Sequence, residues 1–107
     1  MRALEFVDRR GRSPFADWID GLDAPVAAKV VTFVARLEAD NFSNVKGLGG
    51  GLHECRMSFG AGYRIYFGMD GDALIILQAG GSKRRQSRDI AAARERWRDY
   101  LDRKSEA

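Results

Sequence analysis

Between Asn44 and Gly80 the large apolar side chains recur at every second position, whereas before Asn44 they recur at every third or fourth. This change of period sets the second half of the chain as strands and most of the first half as helices. Strands are predicted over NVKGL (44–48), LHECRMSF (52–59), YRIYFGM (63–69) and ALIILQAG (73–80), the last so continuously apolar that it suits the centre of a sheet. Asp70-Gly71 is a tight hairpin signal, and Gly60-Ala61-Gly62 turns the pair before it. An antiparallel four-stranded meander follows.

Upstream, ALEFVD (3–8) alternates and reads as a short first strand ended by the Arg-Arg-Gly turn. Ser13 as N-cap and Pro14 as first residue open a short helix carrying Phe15, Trp18, Ile19 and Leu22 on one side. A second helix starts after Asp23, with Val26, Val30, Phe33, Val34 and Leu37 as its apolar stripe, and the break at DGLDAP folds the two into a hairpin. After the strands, Ser87 is placed to cap a final helix in which Ile90, Ala93, Trp97 and Leu101 share a face. Any disorder is confined, at most, to the tail after Arg103. The fold class is therefore α+β: an N-terminal strand, a helical hairpin, the meander and a C-terminal helix, in one domain over residues 1–107. The hairpin is expected to cover one sheet face and leave the other at least partly open.

The single cysteine, Cys55, has no disulfide partner within the chain, and one histidine with one cysteine makes no zinc-type cluster, so neither metal nor cofactor is expected. No segment has the length of a membrane span or the order of a signal peptide, which points to the cytoplasm. Eighteen Lys and Arg residues against fifteen Asp and Glu leave a net charge of +3. The cations bunch at Arg9, Arg10 and Arg12, at Lys83, Arg84, Arg85 and Arg88, and at Arg94, Arg96 and Arg98. Arginine's planar fork suits phosphate, so nucleic acid or an acidic protein is the expected partner. The run GLGGGL (47–52) lacks both the G-x-G-x-x-G spacing and the Lys-Ser/Thr of a phosphate loop, and it reads as a connection.

Alternation sorts the strand residues by face. His53, Cys55, Met57 and Phe59 fall on the core side with Tyr63, Ile65 and Phe67, which favours a structural histidine at 53 over the general acid or base that its residue type also suits. Glu54, Arg56 and Ser58 fall on the other side, where Arg64 and Tyr66 stand beside Arg56 on the open face. With Arg64 outward, its truncation is expected to leave the fold intact. A pairing of Arg64 with Glu54 or Asp70 across the sheet is the alternative to a functional role.

GGLHECRMSFGAGYRIYF (50–67), followed by ILQAGGSKRRQSRDIAAA (76–93), resembles the RelE/ParE toxin superfamily of bacterial toxin-antitoxin modules, and within it the HigB-like, phage-associated addiction module killer branch. The resemblance rests on Gly51, Leu52, Glu54 and Arg56, on Gly60, Gly62, Tyr63, Arg64, Tyr66 and Phe67, and on Gly80, Gly81, Lys83, Gln86, Asp89 and Ile90. Cys55 stands where the family commonly has leucine.

The resemblance implies a type II toxin that cleaves mRNA on the ribosome without a metal, the RNA 2′-hydroxyl attacking the adjacent phosphate. It also implies a helix-turn-helix antitoxin as partner, in a toxin-antitoxin hetero-oligomer. The ParE branch instead inhibits DNA gyrase, and a degenerate member would only bind its antitoxin. Arg56, Arg64 and Lys83 are the candidate cations for the charge that builds on phosphorus, and Tyr66 is the candidate for stacking on a base or bonding a phosphate. Arg84, Arg85 and Arg88 are the candidates for docking on RNA and the ribosome. Some relatives place a tyrosine after the last strand; RRQSRD (84–89) has none, and Asp89 or Gln86 stand as substitutes for the proton acceptor.

Overall fold

Gly71, with φ 59°, takes the left-handed conformation that the Asp70-Gly71 hairpin requires, and the two longest strands run antiparallel from it. The computed structural model describes residues 1–60 and 62–106. In chain order it contains β1 (Arg2–Glu5), α1 (Pro14–Asp20), α2 (Ala24–Glu38), β2 (Val45–Gly49), β3 (Leu52–Arg56), β4 (Arg64–Asp70), β5 (Ala73–Gly80), a 3₁₀ turn (Lys83–Arg85) and α3 (Gln86–Glu106). The α+β class and the order of elements agree with the sequence reading. The turn expected at Gly60-Ala61-Gly62 includes Ala61, which lies outside the described residues.

The sheet has five strands in the order β1-β5-β4-β3-β2. The meander supplies four antiparallel strands, and β1 adds a fifth by lying parallel to β5, with Arg2 opposite Ala73 and Glu5 opposite Ile76. β1 is shorter than the expected 3–8: its last pair is Glu5 with Ile76, whose carbonyl accepts from the N–H of the buried Phe6 at 2.8 Å. Ser13 caps α1 as predicted, its hydroxyl accepting from the Ala16 N–H at 3.1 Å. Asp23 occupies the cap position of α2 without bonding through its side chain.

α1 and α2 bury Phe15, Val30, Phe33 and Leu37 against Cys55, Met57, Ile65, Phe67, Leu74 and Ile76 on one face. The other face is not open. α3 lies over it and packs Ala93 and Trp97 on Leu52, Tyr66, Ile75 and Leu77. A β-bulge between β4 and β5 puts Leu77 and Gln78 on this same face: Tyr66 pairs with Gln78, but Phe67 pairs with Ile76. Gly68 lies directly under the Trp97 ring, where a Cβ would collide with the indole, so strand and helix approach more closely than any larger residue permits.

Two features of α3, its start and the end of its apolar face, depart from expectation. It starts at Gln86 rather than after a Ser87 cap, because the 3₁₀ turn winds directly into it. It continues to Glu106, within the bound that admitted disorder only after Arg103. Its apolar face ends on Tyr100 rather than Leu101, which is 39% exposed; the Tyr100 hydroxyl donates to Asp70 at 2.6 Å.

Candidate functional site: a basic groove with a buried ion pair

At one end of the sheet the cross-strand register stacks two rows of side chains beside the start of α3. One row runs Lys46, Glu54, Tyr66, Gln78; the next brings Arg56 opposite Arg64 and Arg64 opposite Gly80. Glu54 and Arg64 are both about 6% exposed and bonded, Arg64 Nε donating to Glu54 Oε1 at 3.2 Å. Arg64 Nη1 also donates to the Gly62 carbonyl at 2.7 Å. From the first turn of α3, Gln86 Nε2 reaches both oxygens of Glu54, at 3.3 and 3.1 Å. A carboxylate held by three such bonds keeps one orientation, and the guanidinium that faces it is equally fixed.

This pair forms part of the wall of a groove of about 340 Å³, completed by Asn44, Lys46, Arg56 and Gln86. Arg56 is exposed, as expected. Three cations around one carboxylate give the groove a net positive charge, and a bound anion there gains from a partly dry setting. A separate, more polar depression of about 560 Å³ is lined by Ser82, Arg84, Arg85 and Arg88. These arginines are exposed, and among the described residues none is in an ion pair.

Two expected placements are corrected. Arg64 is not free on an open face; the alternative pairing with Glu54 holds, because α3 covers the face and burial of a guanidinium demands a partner. Tyr66 is fully buried beneath α3, so its ring has no side open to a base. Burial first, then the charges of Glu54 and Asp89, push its phenol pKa well up. Lys83 is exposed on the 3₁₀ turn and is not among the residues lining either depression. His53 is partly buried on the α1–α2 side, stacked on Phe67 at 5.4 Å, as expected of a structural histidine.

Glu54 and Gln86 emerge as the residues that organise the site. Period two put Glu54 on the same face as Arg64, but the bond from Gln86 depends on where α3 crosses the sheet, which no local pattern states. Asp89, one turn further along α3, sits over Gly80 at a spot where a Cβ would clash with its carboxylate. Burial is the main cause that raises its pKa above the ordinary 3.8, with Arg85 and Arg96 opposing. An acid raised in the fold holds its proton more tightly there than in the unfolded chain, so its contribution is lost as pH rises through the folded value. Asp89→Asn is therefore expected to raise stability at neutral pH and to change it little well below the carboxylate range. Urea melts at the two pH values check this; an equal gain at both would remove the titration as its cause.

Among the described residues no group of three His, Cys, Asp or Glu side chains stands close enough to hold a metal ion. Among the same residues no helix is long and apolar enough to cross a membrane. Cys55 is buried, and desolvation pushes its thiol up to about 11, so it is no nucleophile at neutral pH.

Fold and groove together define a small α+β protein that sets a buried carboxylate–guanidinium pair into a basic cleft. The chain belongs to the same family as an uncharacterized protein of Haemophilus influenzae, to which it is 35% identical over 81 residues, 75% of this chain and 82% of that one. No profile of a described protein family matches it.

Proposed function

We propose that the protein is the toxin of a type II toxin-antitoxin module, with a RelE/ParE-like fold, and that it cleaves mRNA on the ribosome in the cytoplasm. The observation that carries this reading is the Glu54–Arg64 pair in the groove beside the exposed Arg56. Metal-free cleavage needs fixed positive charge where negative charge builds on phosphorus, and Arg64, held in place by Glu54, supplies it beside Arg56.

In this reading the RNA lies with a phosphate against Arg56 and Arg64. The 2′-hydroxyl gives its proton to solvent as its oxygen attacks phosphorus, both oxygens of Glu54 being engaged by Arg64 and Gln86. Arg64, already oriented by Glu54 and the Gly62 carbonyl, meets the charge on the pentavalent centre without reorganising, which is where such donors act most strongly. The bond to the 5′-oxygen breaks, that oxygen takes a proton from solvent, and a 2′,3′-cyclic phosphate and a 5′-hydroxyl result. Lys83, Arg84, Arg85 and Arg88 hold ribosomal RNA through salt-sensitive phosphate contacts. A helix-turn-helix antitoxin neutralises the toxin by covering this basic surface with acidic side chains.

Inducing the protein without an antitoxin is the test. Growth should stop, with transcripts cut inside coding regions and the cuts abolished when ribosomes are kept off the message. Intact transcripts with accumulated gyrase–DNA cleavage complexes would replace this reading with that of a gyrase inhibitor.

A further inference from the structure

Edge strand β2 brings one more cation to the groove than the cleavage step employs. Lys46 lies directly opposite Glu54 in the β2–β3 ladder and lines the groove with Arg56 and Arg64. A lysine facing a carboxylate across an antiparallel pair ordinarily bonds to it. Here it does not: both oxygens of Glu54 are taken by Arg64 and Gln86, and among the described residues Lys46 is in no ion pair. Its ammonium group is thus an exposed, unpaired charge at the lip of a groove whose depth is already anchored.

The lip position has a chemical meaning. Lysine is a compact, strongly hydrated charge on a flexible stem, suited to following a phosphate rather than fixing a transition state. Arg64 is the opposite kind of group, buried and held at two points. Division of labour between a mobile rim cation and a rigid inner one is what a polyanionic strand laid across the groove requires. Asn44, from the residue before β2, lines the same groove and adds a neutral amide beside the lysine.

We propose that Lys46 is a substrate-binding residue that grips a backbone phosphate of single-stranded RNA, next to the phosphate held by Arg56 and Arg64. This rests on the RNA-cleaving reading above and extends it to β2, a strand whose sequence otherwise gives only a weak structural signal.

Cleavage of mRNA on programmed ribosomes, measured over a range of toxin concentrations and at several salt concentrations, tests it. Lys46→Gln should raise the concentration for half-maximal cleavage by about tenfold, the worth of one charge-assisted contact, with little change in the rate at saturation. It should also lower the salt exponent of that concentration by about 0.7, the share of one phosphate on a single strand. Lys46→Arg should restore both. Lys29→Gln, on the exposed side of α2, should move neither, and equal melting temperatures exclude a folding defect. If wild type cleaves and Lys46→Gln shows the wild-type half-saturation and salt exponent, Lys46 is overturned while the cleavage reading stands. If wild type leaves ribosome-bound mRNA intact, the cleavage reading fails and this assignment falls with it.

Discussion

Arg64→Ala is expected to lose about 3–5 kcal/mol of folding stability, because it strands the Glu54 carboxylate in a largely buried site. Both side chains are about 7% exposed, so the carboxylate has little access to solvent when its partner is removed. Gln86 still donates to it, but a neutral amide offsets only part of the lost charge. Denaturant titration measures the loss directly. Replacing the pair together, as Arg64→Met with Glu54→Leu, should recover much of the stability, since two apolar side chains leave nothing unpaired. Both variants should be inactive, which separates the structural from the chemical contribution. An Arg64→Ala protein within about 1 kcal/mol of wild type would mean that the pair is solvated in solution.

The second large effect is expected at Trp97, which is 5% exposed and joins α3 to the sheet. Its ring lies on Gly68, stacks on Tyr100 at 5.3 Å, and donates from Nε1 to the Gly50 carbonyl at 2.8 Å. Trp97→Ala should cost about 3–5 kcal/mol, since no neighbouring side chain can fill the space over a glycine. The loss should spread along the helix to the groove, because Gln86 and its two bonds to Glu54 are carried by the same α3. Hydrogen exchange would register this as faster opening at both ends of α3. Faster exchange confined to the residues around Trp97 would show that the two ends dock independently.

How much of this was legible beforehand varies by residue. Period two sorted Cys55, Met57, Ile65 and Phe67 onto one face and Glu54, Arg56, Arg64 and Tyr66 onto the other, and the ladder confirms that sorting. What alternation does not state is which element covers a face. The stripe Ile90, Ala93, Trp97 was visible in α3, but the target of that stripe was not, so Arg64 and Tyr66 were expected outside when they lie beneath it. Gly68 carried the missing signal: a glycine inside the strongest strand, with a tryptophan in the following helix, marks a close approach. The bulge at Leu77 and Gln78 was hidden for a different reason, since an apolar run that is buried on both faces has no alternation to break. The parallel pairing of β1 was equally invisible, because its residues alternate the same way whichever edge they join.

That parallel seam also sets an order in time. Each seam of the meander joins neighbours in the chain, whereas β1 must find β5 across both helices and the strands β2 to β4, with Arg2 meeting Ala73. Closing so long a loop costs more entropy and comes later than closing the hairpins. The strands β2 to β5 and α3 are therefore the part able to gather first, and α1 and α2 arrive as passengers of the last strand to dock. Until they do, Cys55, Ile65, Phe67 and Leu74 stay wet, and the half-made sheet is at its most adhesive while the groove at its other face is already taking shape.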